Sequence, residues 1–161
     1  MKQALATAQA PAAIGPYSQG IAAGQTVYVS GQLPIDPATG AIPEGVAAQT
    51  AQSLKNIQAI LAEQGMTLAD VVKTTVLLAD MGDFAACNAV YSQFFTENCP
   101  ARACFAVKAL PKGALVEIEA IAAKYWGGKP TASVSARRCF SGRNFMEMKK
   151  YTVTAVDNSK T

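Results

Sequence analysis

With 161 residues, half of them apolar and many of those alanine, the chain has material for one domain whose core buries little area per residue, so added burial by association of copies fits it. The absence of histidine excludes a histidine triad, a histidine-held zinc and a histidine acid–base, leaving Arg, Glu, Tyr, Ser, Cys, backbone and water for any chemistry. The net charge of +3 is uneven: seven Lys/Arg against nine Asp/Glu up to Lys124 leave −2, and residues 125–161 carry +5.

Residues 1–12 show no period that specifies an element. Met1-Lys-Gln-Ala-Leu5 lacks the apolar segment of a secretory signal and no run reaches membrane-spanning length, so a cytoplasmic protein without membrane contact is expected. Gly15-Pro16 signals a turn, and Tyr17–Ala22 reads as a first strand. Gly24-Gln25 turns into Thr26–Ser30, an alternating strand with Val27 and Val29 inward and Tyr28 and Ser30 on the other face. Gly31 follows, where the backbone can come close to a ligand. Pro34–Gly40 is a loop by its turn residues. A helix opens at Glu44 or a nearby polar residue and runs to about Gln64. Leu54, Ile57 and Leu61 form its apolar stripe, and Gly65 suits its C-terminal stop. Asp70–Leu78 is a strand apolar on both faces towards its end, which predicts a central place in a covered sheet. Asp80 or Asp83 caps a second helix with Phe84, Cys87, Tyr91 and Phe94 as its stripe, closed by Asn98-Cys99-Pro100.

Two strands complete the unit. Arg102–Val107 sets Arg102, Cys104 and Ala106 on one face, and Val116–Ala123 opposes Glu117, Glu119 and Ile121 to Val116, Ile118 and Ala120. If they pair antiparallel about Leu110-Pro-Lys-Gly113, Arg102 lies across from Glu117. An Arg and a Glu held together beside apolar residues make a small-acid site, the cation holding a carboxylate and the Glu handling water or a proton. Periodicity does not choose between Glu117 and Glu119. Cys104, with no histidine to activate it, reads as a small hydrophobe rather than a nucleophile. The spacings of Cys87, Cys99, Cys104 and Cys139 match neither a disulfide scaffold nor a zinc site, so reduced thiols, no metal and no cofactor are expected. The α+β order β-β-α-β-α-β-β, with both helices on one face, leaves the other face uncovered yet not consistently polar; another subunit is the economical cover.

Four stretches together resemble the RidA family (the YjgF/YER057c/UK114 group of enamine/imine deaminases). They are Ala13-Ile-Gly-Pro-Tyr-Ser-Gln-Gly20, Val29-Ser-Gly-Gln-Leu-Pro-Ile-Asp36, Val72-Lys-Thr-Thr-Val-Leu-Leu-Ala-Asp80, and Pro100-Ala-Arg-Ala-Cys104 with the Glu-Ile-Glu of 117–119. The resemblance covers about residues 2–124 and implies a chorismate-mutase-like fold, a homotrimer whose sheets pack around a barrel-like core, and sites in clefts between adjacent subunits. It also implies hydrolysis of 2-iminopropanoate and 2-iminobutanoate, made by pyridoxal-phosphate dehydratases, to 2-keto acids and ammonia. Arg102 would clamp the substrate carboxylate and Glu117 position or activate water. Tyr17, Ser30, Gly31 and Cys104 would line the pocket, with Asn88 as a buried hydrogen-bonding residue at the interface and Glu119 as a structural or intersubunit partner. Cys99 departs from the family pattern, which often carries an aromatic residue there. An RNA-binding or ribonuclease role, or non-catalytic binding of a small ligand, is the competing reading. The body's charge of −2 argues against nucleic acid except through the basic tail. Domain 1–124 is thus followed by an extension, 125–161, of unknown origin; apart from a short strand expected at Tyr151–Val156, its lack of period leaves disorder open.

Overall fold

The computed structural model describes residues 1–124, and the expectations for 125–161, Cys139 and Tyr151–Val156 included, fall outside the described residues. Six strands, β1 (Lys2–Leu5), β2 (Gly20–Ala23), β3 (Thr26–Gln32), β4 (Val71–Leu78), β5 (Ala101–Ala106) and β6 (Val116–Ala123), form one sheet in the order β1-β2-β3-β6-β4-β5. Neighbours run antiparallel except β4 and β5, which are parallel. Two helices, α1 (Val46–Ala62) and α2 (Phe84–Phe94), complete the α+β unit. No helix among the described residues is long and apolar enough to cross a membrane.

The core lies between the helices and one face of the sheet. Leu54, Ile57, Ile60 and Leu61 of α1 are buried against Val27 and Val29 of β3, Val76 and Leu78 of β4, and Val116 and Ile118 of β6. Burial of each such side chain contributes about 1.5–3 kcal/mol. The helix stops as its sequence indicates: Gly65 takes φ 58, and the Gly65 and Met66 amides donate to Ala62 and Leu61 carbonyls. Its start differs, because Gly45 rather than Glu44 is the N-cap. Ahead of α2, the Asp80 carboxylate accepts from the Gly82 amide and opens a single 3₁₀ turn.

The opposite face carries Tyr28, Lys73, Thr75, Leu77, Phe105, Glu117, Glu119 and Ile121, half-buried or exposed. Among the described residues it is uncovered, and it is far from uniformly polar, as the sequence indicates. Two bulges tune this sheet. One extra residue of β4 between Val71 and Lys73 puts Val71 on the core side, so the simple alternation expected for that strand breaks there. In β3, Val29 pairs with Ala120 and Gln32 with Ile118, so Ser30 and Gly31 together oppose Glu119.

Three expectations fail. The strand expected at Tyr17–Ala22 forms as β2 over Gly20–Ala23, with Tyr17 outside the sheet. β1 was unforeseen because three of its four residues are exposed and only Leu5 is buried, which leaves no alternation to read. More consequentially, β5 and β6 do not pair: β4 lies between them. Arg102 is level with Thr74 and Glu117 with Leu77. Thr74 faces the helices and Leu77 the open face, so Arg102 and Glu117 emerge on opposite faces of one sheet. The apolarity of β4 on both faces already demanded a central position, and that demand prevails over the pairing of sequence neighbours.

Candidate active site

The expected site residues fall into two clusters. The first grows from the β3 bulge. Ser30 Oγ donates to the Ser18 carbonyl at 2.7 Å, and the Ser30 amide donates to the Gln19 carbonyl at 3.0 Å. Ser30, Gly31, Tyr17, Glu117 and Glu119 line one cavity of about 530 Å³, whose apolar wall includes Ile14, Leu33 and Ile35. Tyr17 is 50% exposed. Its hydroxyl accepts from the Ile14 amide at 3.4 Å.

Glu117 depends on Gly31. A Cβ on Gly31 would collide with Glu117 Oε1 and come within 3.0 Å of its Cδ, so the carboxyl group occupies the space that any other side chain would fill. Gly31 has no positive φ; close approach, not backbone conformation, requires glycine here. Partial burial, and then the Glu119 carboxylate, push the Glu117 carboxyl above the ordinary carboxylate range.

Gln19 holds this cluster in place and went unread in the sequence. It is buried, its carboxamide oxygen accepts from the Thr7 amide at 2.7 Å, and its Nε2 donates to the carbonyls of Thr7, Ala10 and Pro11. It thereby moors residues 7–11, of which Pro11 lines the cavity. A buried glutamine amid turn signals was the available cue. Asn56 of α1 does the same for the other wall, donating to the carbonyls of Leu33 and Ile35.

The second cluster lies on the helix side. The Arg102 Cζ sits 4.6 Å from the Tyr91 ring centroid and 5.7 Å from that of Phe84. Asn88, Tyr91, Ser92, Phe95, Cys99 and Arg102 line a cleft of about 460 Å³. Among the described residues no carboxylate pairs with Arg102, and the residue lines this cleft. Asn88 is half-buried on this cleft. Cys104, two residues from Arg102 on the same face, is a free thiol; burial first, then Cys87, push it up against the pull of Arg102. A protonated thiol is a poor nucleophile, in keeping with the hydrophobe reading. Cys87 is also free, whereas Cys99 is disulfide-bonded, against the expectation of reduced thiols.

The model of the family described as Endoribonuclease L-PSP matches residues 7–124. The chain belongs to this family. It is the RidA/YjgF group that the sequence motifs resemble. A 2-iminobutanoate/2-iminopropanoate deaminase of Salmonella typhimurium is 52% identical over 77% of this chain and 99% of its own length. One from Capra hircus is 52% identical over 83% and 97%. Among solved structures, the YjgF gene product of E. coli superposes with a TM-score of 0.75 at 48% identity, covering 76% of this chain and 99% of that one. E. coli TdcF with bound serine gives 0.73 at 44% identity, over 76% and 99%.

Proposed function

We propose that this RidA-family chain is an imine deaminase that hydrolyses short 2-imino acids and their 2-enamine tautomers, 2-iminopropanoate and 2-iminobutanoate, to 2-keto acids and ammonia. The observation that carries the reading is Arg102: a guanidinium seated on aromatic rings, free of any acid partner among the described residues, and open to a cleft. Such a group takes a planar carboxylate through two parallel N–H···O bonds. Relatives at about half identity that bear the deaminase name support the chemistry.

In this reading Glu117 handles water. A protonated imine carbon is already electrophilic, so a held carboxylate and one oriented water suffice. Glu117 accepts a proton as the water oxygen bonds to C2 of the protonated imine, giving a carbinolamine, and returns that proton to the amino nitrogen. As the C–N bond breaks and ammonia leaves, the hydroxyl passes its proton to the freed Glu117 carboxylate and the keto C=O forms. Ser30 and the Gly31 backbone, beside Glu117, would meet the substrate, with Tyr17 closing the cavity. Because Arg102 and Glu117 leave opposite faces of one sheet, the complete site joins Arg102 of one copy to Glu117 of the next, in a homotrimer whose subunits cover each other's open faces. Pyridoxal-phosphate dehydratases of serine and threonine are the proposed suppliers.

The test generates 2-iminobutanoate with a threonine dehydratase and traps it with semicarbazide. Wild-type protein suppresses semicarbazone formation; Arg102→Ala and Glu117→Gln do not. Mixing the two dissociated and reassociated variants restores activity at roughly a quarter of the sites if each site is shared between copies of a ring. Two inactive variants whose reassociated mixture stays inactive would place both groups in one chain's site, against this assembly. The family's ribonuclease description supplies a second reading. Loss of RNA cleavage on removal of residues 125–161, with imine hydrolysis intact, would assign that activity to the basic tail.

A further inference from the structure

An arginine on an edge strand has about 2 kcal/mol of rotamer entropy to lose before it can grip anything, and Arg102 is exposed on such a strand. Its surroundings remove that freedom without using its hydrogen bonds. Tyr91 is 6% exposed, and its hydroxyl shares a 2.7 Å hydrogen bond with Thr74 Oγ1. Thr74 is the register partner of Arg102 on the adjacent strand. The ring under the guanidinium is therefore tied to the residue beside the arginine's own backbone. Phe95, the C-cap residue just past α2, packs against Tyr91 with centroids 4.6 Å apart and an interplanar angle of 32°. Phe84 presents a second ring to Arg102.

We infer that Tyr91, pinned by Thr74 and assisted by Phe84, is the positioning residue of the site: an aromatic platform that fixes the Arg102 guanidinium for a ligand carboxylate. The physical advantage lies in direction. Stacking occupies the faces of the guanidinium and leaves its five in-plane N–H donors free. An acid partner would hold the side chain equally well, but would neutralise its charge and compete with the ligand for the same donors. The inference rests on the reading of Arg102 as carboxylate clamp.

The experiment is a double-mutant cycle on the full chain, with 2-ketobutanoate as the titrant in calorimetry and 2-iminobutanoate hydrolysis alongside. Tyr91→Leu should weaken 2-ketobutanoate binding by about two- to thirty-fold, the range for a cation over an aromatic face, and should raise KM more than it lowers kcat. Tyr91→Phe keeps the ring and should recover most of the affinity. In an Arg102→Ala background, Tyr91→Leu should cost nothing further. Equal losses in both backgrounds, or wild-type affinity in Tyr91→Leu, overturn the platform. If Arg102→Ala itself binds like wild type, the clamp reading fails and the platform with it. Should Tyr91→Leu not fold, the same cycle with Phe84→Leu decides, since that ring is only half-buried; an absence of coupling to Arg102 there overturns the inference.

Discussion

Gly31→Ala is the sharpest probe of how the carboxylate is placed. The added methyl would overlap Glu117 Oε1 and stand 3.0 Å from Cδ and 3.3 Å from Cγ, so the side chain must rotate away. Glu117 borders an open cavity and has room to do so. The stability cost should then stay near the low end of overpacking, about 1 kcal/mol, or roughly 3–6 °C in Tm for a domain of this size. Activity should respond far more strongly, because a displacement of about 1 Å from the attacking water costs on the order of 100-fold in rate. Semicarbazide trapping read against thermal melts separates the two effects. A Gly31→Ala protein that hydrolyses 2-iminobutanoate at the wild-type rate would show that the Glu117 position seen here is not the working one. A fall in Tm beyond about 10 °C would instead mean that the carboxyl cannot leave and the backbone has shifted.

The elevated Glu117 carboxyl has a sign that can be checked. A carboxyl raised in the folded state adds stability while protonated, below the ordinary value of 4.5, and loses it as pH climbs through the folded value. Glu117→Gln should therefore melt higher than wild type at pH 7, with the gap closing below pH 4.5; a lower melt at pH 7 would contradict the burial argument. Since Glu119 is the second cause of that elevation, Glu119→Gln should shift the acid limb of the kcat/KM–pH profile downward, and an unmoved limb would rule out its influence on Glu117. Gln19→Ala leaves the Thr7 amide and three carbonyls without their partner, which should cost about 1–3 kcal/mol and raise amide exchange in residues 7–11 selectively; uniform exchange across the chain would deny it the mooring role. Cys104→Ala should keep imine hydrolysis, and its complete loss would reopen the thiol's part in the chemistry.

The period of each segment fixes much of this protein before any tertiary contact is considered. Alternation at Val27 and Val29, the stripe of Leu54, Ile57 and Leu61, and Gly65 at a position that needs positive φ are local facts, and local sterics and burial decide them. The motifs around Tyr17, Ser30, Arg102 and Glu117 likewise name a family because each is a short run of chain. Strand order is another matter. Which strand lies between β5 and β6 depends on the cost of exposing β4, a comparison among non-local pairings that no single segment contains. The bulge at Ser30 and Gly31 is similarly invisible in one strand, since it exists only relative to the pairing of β3 with β6. So is the dependence of Glu117 on the space above Gly31, and of Arg102 on a ring held by Thr74. Sequence determined the residue types and their local faces; the sheet alone decided that Arg102 and Glu117 face away from each other, because side chains level on adjacent strands share a face and those two are separated by β4.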